Sequence, residues 1–330
     1  MRLLVTGGCG FIGSNFVRHV LEHYPPTYVT NVDALTYAGS ITNVAGLAET
    51  YGERYEFFHG DIANPEQMET VFRQHRYYAV INFAAESHVD RSIHSPRNFV
   101  HTNVAGTSVL LDMARRHGVQ RFLQISTDEV YGSLGEEGRF TETSPLDPSS
   151  PYSSSKAGAD LIALAFHKTY GMEVLVTRCS NNYGPYQLPE KLIPLMLIKA
   201  LRNEPLPVYG DGLNVRDWLH VEDHCRAVVA VLFEGKPGEV YNIGASNEMR
   251  NIDIVKRILA HVGRPESLIS YVPDRLGHDR RYAIDWSKIH RELGWKPIRS
   301  FDQAFPETLD WYLDNRDWWE PLWKRLESVS

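Results

Sequence analysis

Cysteine is scarce in this chain. Cys9, Cys179 and Cys225 are the only three among 330 residues. They are too few, too scattered and odd in number for a disulfide framework or a zinc site. That usage fits a reducing, cytoplasmic compartment. Long apolar runs are also missing. The best candidates, such as Tyr77–Ala85 and Ala227–Phe233, fall well short of the ~18 residues a membrane helix needs; they suit buried strands or helix faces. Only Leu3–Val5 is apolar ahead of the first glycines, which predicts no secretory leader. Basic excess is absent too. Lys plus Arg is 34 against 41 Asp plus Glu, a net charge of −7. Neither nucleic acid, which needs a basic face, nor a membrane is therefore expected as a partner. An anionic ligand would have to be held by a few well-placed Arg and Lys. No internal repeat or low-complexity tract occurs. With 43% hydrophobic and 23% charged residues, the composition is that of a folded globular chain. At ~150 residues per domain the length suggests about two domains.

What is present is alternation. Arg2–Thr6, Tyr28–Asp33, Tyr55–His59, Ala79–Phe83, Phe122–Ser126 and Val174–Arg178 are short apolar stretches bounded by polar turns. Helical patterns fall between them, with Ile12, Phe16, Val17, Val20 and Leu21 at helical spacing and further segments around Asn98–His117 and Ser153–Tyr170. Strands separated by helices predict an α/β fold, a Rossmann-like doubly wound parallel sheet. After about residue 185 the rhythm changes. Pro185, Pro189, Pro194, Pro205 and Pro207 crowd one stretch, and the tail Trp311–Leu326 is rich in tryptophan. The expectation is a cofactor-binding domain over 1–185, with later elements near 217–245 returning to it. A smaller carboxyl-side domain would occupy most of 186–330.

The first strand runs into Gly7-x-x-Gly10-x-x-Gly13, and a helix pattern follows at once. Glycines in that place permit a tight turn and let backbone reach a pyrophosphate at a helix amino end. Asp33 ends the next strand, 33 − 13 = 20 residues on. A carboxylate there binds ribose hydroxyls and repels a 2′-phosphate. Ala34, Leu35 and Thr36 follow, with no Arg to accept that phosphate, so the expected cofactor is NAD rather than NADP. Asp61-Ile62, after the third strand, is placed to meet the adenine. Cys9 is read as a small residue filling the turn.

Ser150-Pro151-Tyr152-x-x-x-Lys156 reads as a helix start, with Ser as cap and Pro in the first turn. The four-residue spacing puts Tyr152 and Lys156 on one face. A free tyrosine, with pKa ~10, is a poor base at neutral pH; a neighbouring ammonium and a positive nicotinamide favour its phenolate. Thr127-Asp128-Glu129 follows the strand Phe122–Ser126, at the sheet edge where open α/β sheets bind ligands. If two adjacent acids there have different environments, one can stay protonated while the other works as a base. His19 and His23 have helical metal-ligand spacing but no third ligand, so no metal is expected. Trp311, Trp318, Trp319 and Trp323 are expected to pack.

Gly7–Gly13, Thr127–Glu129 and Tyr152-x-x-x-Lys156 together resemble the extended short-chain dehydrogenase/reductases. The longer blocks Phe83–Ser92, Arg178–Tyr186, Pro189–Pro194, Tyr209–Gly212 and Gly277–Tyr282 are similar to the bacterial dTDP-glucose 4,6-dehydratase family. The similarity runs from Arg2 to the Trp318–Leu322 tail. Cys9 stands where that family usually has alanine, and Leu276 where proline is frequent.

The resemblance implies a lyase with an internal redox cycle. Tyr152 would take the proton from the C4 hydroxyl as C4 is oxidised by NAD. Glu129 would remove the C5 proton, and Asp128 would protonate the departing C6 hydroxyl. Hydride would then return to C6, leaving dTDP-4-keto-6-deoxyglucose. Thr127 would bind near the C4 oxygen, and Lys156 would bind nicotinamide ribose. The implied cofactor contacts are Gly7, Gly10, Phe11, Ile12, Gly13, Asp33, Ala34, Leu35, Thr36, Asp61, Ile62, Phe83, Ala84, Ala85, Ser87, Thr102, Tyr152, Lys156 and Asn182. The implied nucleotide-sugar contacts are Ser87, Thr127, Asp128, Asn181, Lys191, Leu192, Pro207, Tyr209, Arg216, Asn251, Arg275 and His278. Arg216 and Arg275 agree with the chemistry of a diphosphate, whose oxygens match guanidinium groups. The resemblance also implies a homodimer, joined through helices at 98–117 and 153–170. A 4-epimerase on the same fold is the rival enzyme; it has no use for acids that expel a C6 hydroxyl. A non-catalytic NAD-binding regulatory module would need none of Tyr152, Lys156, Asp128 and Glu129.

Overall fold

A computed structural model describes residues 1–327. Twelve strands follow in chain order: β1 Arg2–Thr6, β2 Tyr28–Asp33, β3 Tyr55–His59, β4 Ala79–Asn82, β5 Arg121–Thr127, β6 Glu173–Cys179, β7 Asn181–Tyr183, β8 Leu206–Tyr209, β9 Val215–His220, β10 Val240–Ile243, β11 Glu248–Arg250 and β12 Ile269–Val272. Seven of them form one sheet in the order β10-β6-β5-β4-β1-β2-β3. Every neighbouring pair in it is parallel. The order reverses between β1 and β4, and in such sheets the crevice beyond that reversal binds ligands.

The apolar runs form strands buried on both faces, as a parallel sheet requires. Along β1 the side chains alternate. Leu3 and Val5 pack with Phe16, Val17 and Val20 of the helix Phe11–His23 and with Val228 and Leu232 of the helix Val221–Glu234. Leu4 packs on the opposite layer with Met68, Val71, Leu110 and Leu111. Helices thus cover both sides.

The segment expected as one helix over 98–117 is not uniform. Helix Pro96–Phe99 opens into a wider π-helical stretch, Val100–Gly106, before regular helix resumes over Thr107–Arg116. Stretches of this kind interrupt the 3.6-residue period and often sit at functional sites. The helix expected from Ser153 begins at Pro151.

The carboxyl-side lobe has its own core, built from Tyr183, Ile193, Leu197, Val208, Trp218, Ile258, Phe305, Tyr312 and Trp319. Two small sheets frame it, β11-β9-β7 and β12-β8. The chain passes between lobes repeatedly. After β9 the helix Val221–Glu234 packs on the large sheet, β10 joins that sheet beside β6, and β11 returns to β9.

Candidate active site

The glycine loop turns back under the sheet edge. Gly7 has a positive φ of 71°, and a Cβ there would lie 2.5 Å from the Ala84 nitrogen. Only glycine lets β1 and the segment after β4 approach so closely at the reversal point. A Cβ on Gly13 would meet the Gly7 carbonyl oxygen at 2.2 Å. Gly10 starts the helix Phe11–His23 without any side-chain cap, so its first N–H groups face the cavity with their partial positive charge. Asp33 sits at the end of β2. Its two carboxylate oxygens accept from the Cys9 and Leu35 backbone N–H groups, each at 2.8 Å. Burial raises its pKa, and those two bonds and His59 oppose the rise. Burial and Asp33 push the Cys9 thiol up to about 12, so it stays neutral packing.

Thr127 ends β5, and its hydroxyl accepts from the Glu129 backbone N–H at 3.3 Å, capping the short turn Asp128–Tyr131. Across from it begins the helix Pro151–Tyr170. Ser150 and Ser153 cap it reciprocally, each side chain accepting from the other's backbone N–H at 3.1 Å. The first turns of that helix carry Tyr152 and Lys156 inward, 8% and 4% exposed. The Tyr152 ring stands edge-on to Phe99, and the Lys156 ammonium donates to the Ile125 carbonyl at 2.6 Å.

The electrostatics separate the acids. Burial pushes Asp128 well above the usual carboxylate range, and Glu129 and Asp217 add to it; Arg216 and a Thr127 hydrogen bond oppose. Burial also raises Glu129, but Arg275, Arg216 and Lys191 pull it back. Tyr152 is raised by burial and then by Glu129, Cys179, Tyr37 and Asp128. The phenol is therefore protonated in the ligand-free chain.

Two cavities meet here, of about 320 Å³ and about 1140 Å³. They share Thr36, Glu86, Ser87, Glu129, Asn181, Glu190 and Lys191. The smaller one is lined by every residue expected to touch the cofactor except one. Leu35 does not line it: its side chain packs against the core, and it serves the site through its backbone N–H on Asp33. Thr127 and Asp128 lie in the smaller cavity with Tyr152 and Lys156. Ser87, Asn181, Lys191, Leu192, Pro207, Tyr209, Arg216, Asn251, Arg275 and His278 line the larger one. Trp319 is packed, whereas Trp323, expected only to pack, also lines the larger cavity.

Arg216 lies 4.2 Å from the centroid of Tyr282 and donates to the Asp279 carbonyl at 3.0 Å. Lys191 donates to the Ser87 carbonyl at 3.1 Å, and Arg275 pairs with Asp90 across the cleft at 3.4 Å. The buried side-chain atoms without a partner among the described residues include Ser126 Oγ, Asp128 Oδ2, Ser180 Oγ, Asn181 Oδ1, Glu190 Oε1 and Asn251 Oδ1. All six belong to residues lining these two cavities. Buried polar atoms are nearly always satisfied, so a polar ligand in these cavities would meet groups that the chain itself leaves without partners.

Several site residues escaped the sequence reading. Asn103 bonds both the N–H and C=O of Glu86, at 2.8 and 3.0 Å. It lies in the π-helical stretch, where helical spacing gives no guide. Tyr37 donates or accepts with Ser87 Oγ at 3.3 Å and carries the Arg91 guanidinium 4.2 Å from its ring centroid. Asp160 continues the four-residue step from Tyr152 through Lys156, a signal present in the sequence. No group of three or more His, Cys, Asp or Glu among the described residues could hold a metal ion. His19 and His23 instead stack on each other. No helix among them is long and apolar enough to cross a membrane.

Fold and site together define an extended short-chain dehydrogenase/reductase. The family model described as GDP-mannose 4,6 dehydratase matches residues 4–308. A dTDP-glucose 4,6-dehydratase of Streptomyces niveus is 51% identical over 326 residues, 98% of this chain and 96% of the relative. One from Xanthomonas campestris is 53% identical over 333 residues, 96% and 94% of the two chains. The crystal structure of DesIV, the dTDP-glucose 4,6-dehydratase of Streptomyces venezuelae solved with NAD, superposes with a TM-score of 0.94 at 50% identity, covering 98% of this chain and all 100% of that one. A UDP-glucose 4-epimerase from Thermotoga maritima reaches a TM-score of 0.88 at 31% identity, covering 95% and 99%. The chain belongs to the dTDP-glucose 4,6-dehydratase family.

Proposed function

We propose that this chain is a lyase that converts dTDP-glucose into dTDP-4-keto-6-deoxyglucose and water. The observation that carries the reading is the pair Asp128 and Glu129 beside Tyr152, with Asp128 and Tyr152 buried, Glu129 half-buried where the two cavities meet, and the two carboxyls held in different fields. A 4-epimerase has no use for that pair.

The residues present fit NAD. The uncapped amino end at Gly10, the carboxylate of Asp33 and the Lys156 ammonium offer places for pyrophosphate, adenine ribose and nicotinamide ribose. When bound, NAD would supply a two-electron acceptor for C4, a store from which the same two electrons go back to C6 as C5 regains a proton once water has left, and a positive charge beside the phenol. Tyr152 takes the C4 hydroxyl proton, with Thr127 holding the oxygen. The 4-ketone then acidifies the C5 proton, which passes to Glu129. Asp128, kept protonated by burial and its acidic neighbours, gives its proton to the C6 hydroxyl, so that water rather than hydroxide leaves. Arg216, Arg275 and Lys191 are the cations in the larger cavity suited to the diphosphate, and they also keep Glu129 ready as a base.

A cytoplasmic homodimer completes the reading. Its support is the apolar surface on the helical segments at 98–117 and 153–170, where Val100 and Leu161 are 54% and 58% exposed. Sedimentation velocity should give twice the chain mass; a monomer would overturn this part.

The test of function is incubation with dTDP-, UDP- and CDP-glucose. The expected result is 4-keto-6-deoxy product from dTDP-glucose without net NADH. A 4-epimer as product would favour the epimerase, and accumulating NADH a simple dehydrogenase.

A further inference from the structure

Tyr37 stands at the wall between the two cavities, in the segment that follows Asp33 at the end of β2. Its neighbour Thr36 lines both cavities, and Tyr37 itself lines the larger one. Three parts of the chain hold it there. The Arg91 guanidinium lies 4.2 Å from its ring centroid. Arg325, from the helix Arg316–Glu327, donates to its carbonyl at 2.8 Å. Its hydroxyl meets Ser87 twice: it accepts from the Ser87 backbone N–H at 3.2 Å and lies 3.3 Å from Ser87 Oγ.

Ser87 lines both cavities. Its carbonyl accepts from Lys191 Nζ at 3.1 Å, and its N–H is taken by Tyr37. The polar group it has left for a ligand is the hydroxyl, with one hydrogen to donate. The direction of the bond between the two hydroxyls decides where that hydrogen goes. The Tyr37 oxygen already accepts the Ser87 N–H, and among the described residues Ser87 Oγ is the acceptor within reach of the tyrosine proton. Burial and then the charge of Glu190 push the Tyr37 pKa up to about 12, so the proton is present throughout the neutral range. With that proton on Ser87 Oγ, the serine hydrogen points elsewhere.

We infer that Tyr37 is a positioning residue for the sugar: by giving its proton to Ser87 Oγ it turns the serine hydrogen toward the junction of the two cavities, where it donates to a sugar oxygen. The inference rests on the dehydratase reading for the identity of that sugar. Place argues for the sugar rather than for the diphosphate or the cofactor. Arg216 and Arg275 line the larger cavity, and Gly10 and Gly13 the smaller, whereas Ser87, Glu129 and Asn181 line both. A ring whose carbons meet Tyr152 on one side while its diphosphate meets the arginines on the other has to lie across that junction.

The test is a double-mutant cycle read on dTDP-glucose turnover and on dTDP binding. Tyr37→Phe keeps the ring under Arg91 and the carbonyl for Arg325 and removes the hydroxyl. Tyr37→Phe and Ser87→Ala should each lower kcat/KM about tenfold, the scale of one hydrogen bond. The double variant should be no worse than Ser87→Ala alone, because the tyrosine proton then has nothing to orient. Calorimetric affinity for dTDP, which lacks the sugar, should stay unchanged in all three. Losses that multiply in the double variant would overturn the inference. So would wild-type kcat/KM in Tyr37→Phe, or dTDP binding that weakens in step with turnover. Tyr37→4-aminophenylalanine keeps a donor in that place and should recover turnover. It also carries the test should Tyr37→Phe fail to fold, and a loss equal to that of Ser87→Ala would then overturn the inference. A wild-type chain that makes no 4-keto-6-deoxy product overturns the dehydratase reading instead, and the same cycle read on the binding of dTDP-glucose against dTDP still judges Tyr37.

Discussion

Glu129 faces three cations that oppose its burial, Arg275, Arg216 and Lys191, whereas its chain neighbour Asp128 has Glu129 and Asp217 adding to burial and only Arg216 among the cations opposing it. The two should fail differently. Glu129→Gln should abolish exchange of the C5 proton with solvent deuterium. Asp128→Asn should retain some exchange and stall at the loss of water. A substrate with fluoride at C6 needs no proton to expel its leaving group, so it should rescue Asp128→Asn and hardly touch Glu129→Gln. Equal rescue of both would show that the acid and base have been assigned the wrong way round or act only together.

Tyr152→Phe keeps the ring against Phe99 and removes the phenol. Groups that move protons in this way contribute about 10²–10⁴-fold. Single-turnover consumption of dTDP-glucose should slow within that range while the melting temperature barely changes. A variant within a few-fold of wild type would place the base elsewhere.

Asp33 has a double duty. In the proposed reading it binds a ribose, and in the structure it ties the Cys9 and Leu35 N–H groups to the end of β2. Hydrogen bonds to a charged group are worth about 1.5–3 kcal/mol each. Asp33→Ala should therefore weaken NAD binding roughly 10- to 100-fold by calorimetry and narrow the preference over NADP. It should also lower the melting temperature of the ligand-free chain. Unchanged NAD affinity would remove Asp33 from the cofactor site.

His224 gives a pH dependence of stability. It is fully buried; its Nδ1 meets Asn182 Oδ1 at 2.9 Å and its Nε2 has no partner. Burial lowers its pKa to about 3. Between pH 6.5 and about 3 the unfolded chain holds a proton on this ring that the folded chain refuses, so its contribution to stability is lost as pH falls through that window. His224→Gln keeps a donor for Asn182 and cannot charge. Its stability in urea should decline less steeply from pH 6.5 to 4, by about 1.4 kcal/mol per pH unit. Parallel curves for the two proteins would show that His224 is not the titrating group.

The parallel sheet was legible because its strands, buried on both faces, read as unbroken apolar runs such as Ala79–Asn82, and because Gly7, Gly10 and Gly13 mark a place where backbone comes close to backbone. The placement of Tyr152 and Lys156 in one cavity was legible because a helix repeats. What escaped lay where local spacing carries no information. Asn103 holds the Glu86 backbone at the cavity wall from a π-helical stretch. Leu35 stands beside its expected neighbours but turns its side chain into the core. The fields around Asp128 and Glu129 depend on Arg216 and Arg275, which lie far along the chain and reach the site only when the second lobe folds over the first.

The crossing of the chain between β9, β10 and β11 makes the two lobes inseparable as pieces. A cut after residue 185 would leave the large sheet without β10, with β6 as a raw edge, and would strip the helix Phe11–His23 of its neighbour Val221–Glu234. The carboxyl fragment would in turn lose β7, one of the two strands against which β9 pairs. Neither half is a candidate for expression alone, and recombination with relatives would have to exchange the blocks 1–185 and 221–243 together.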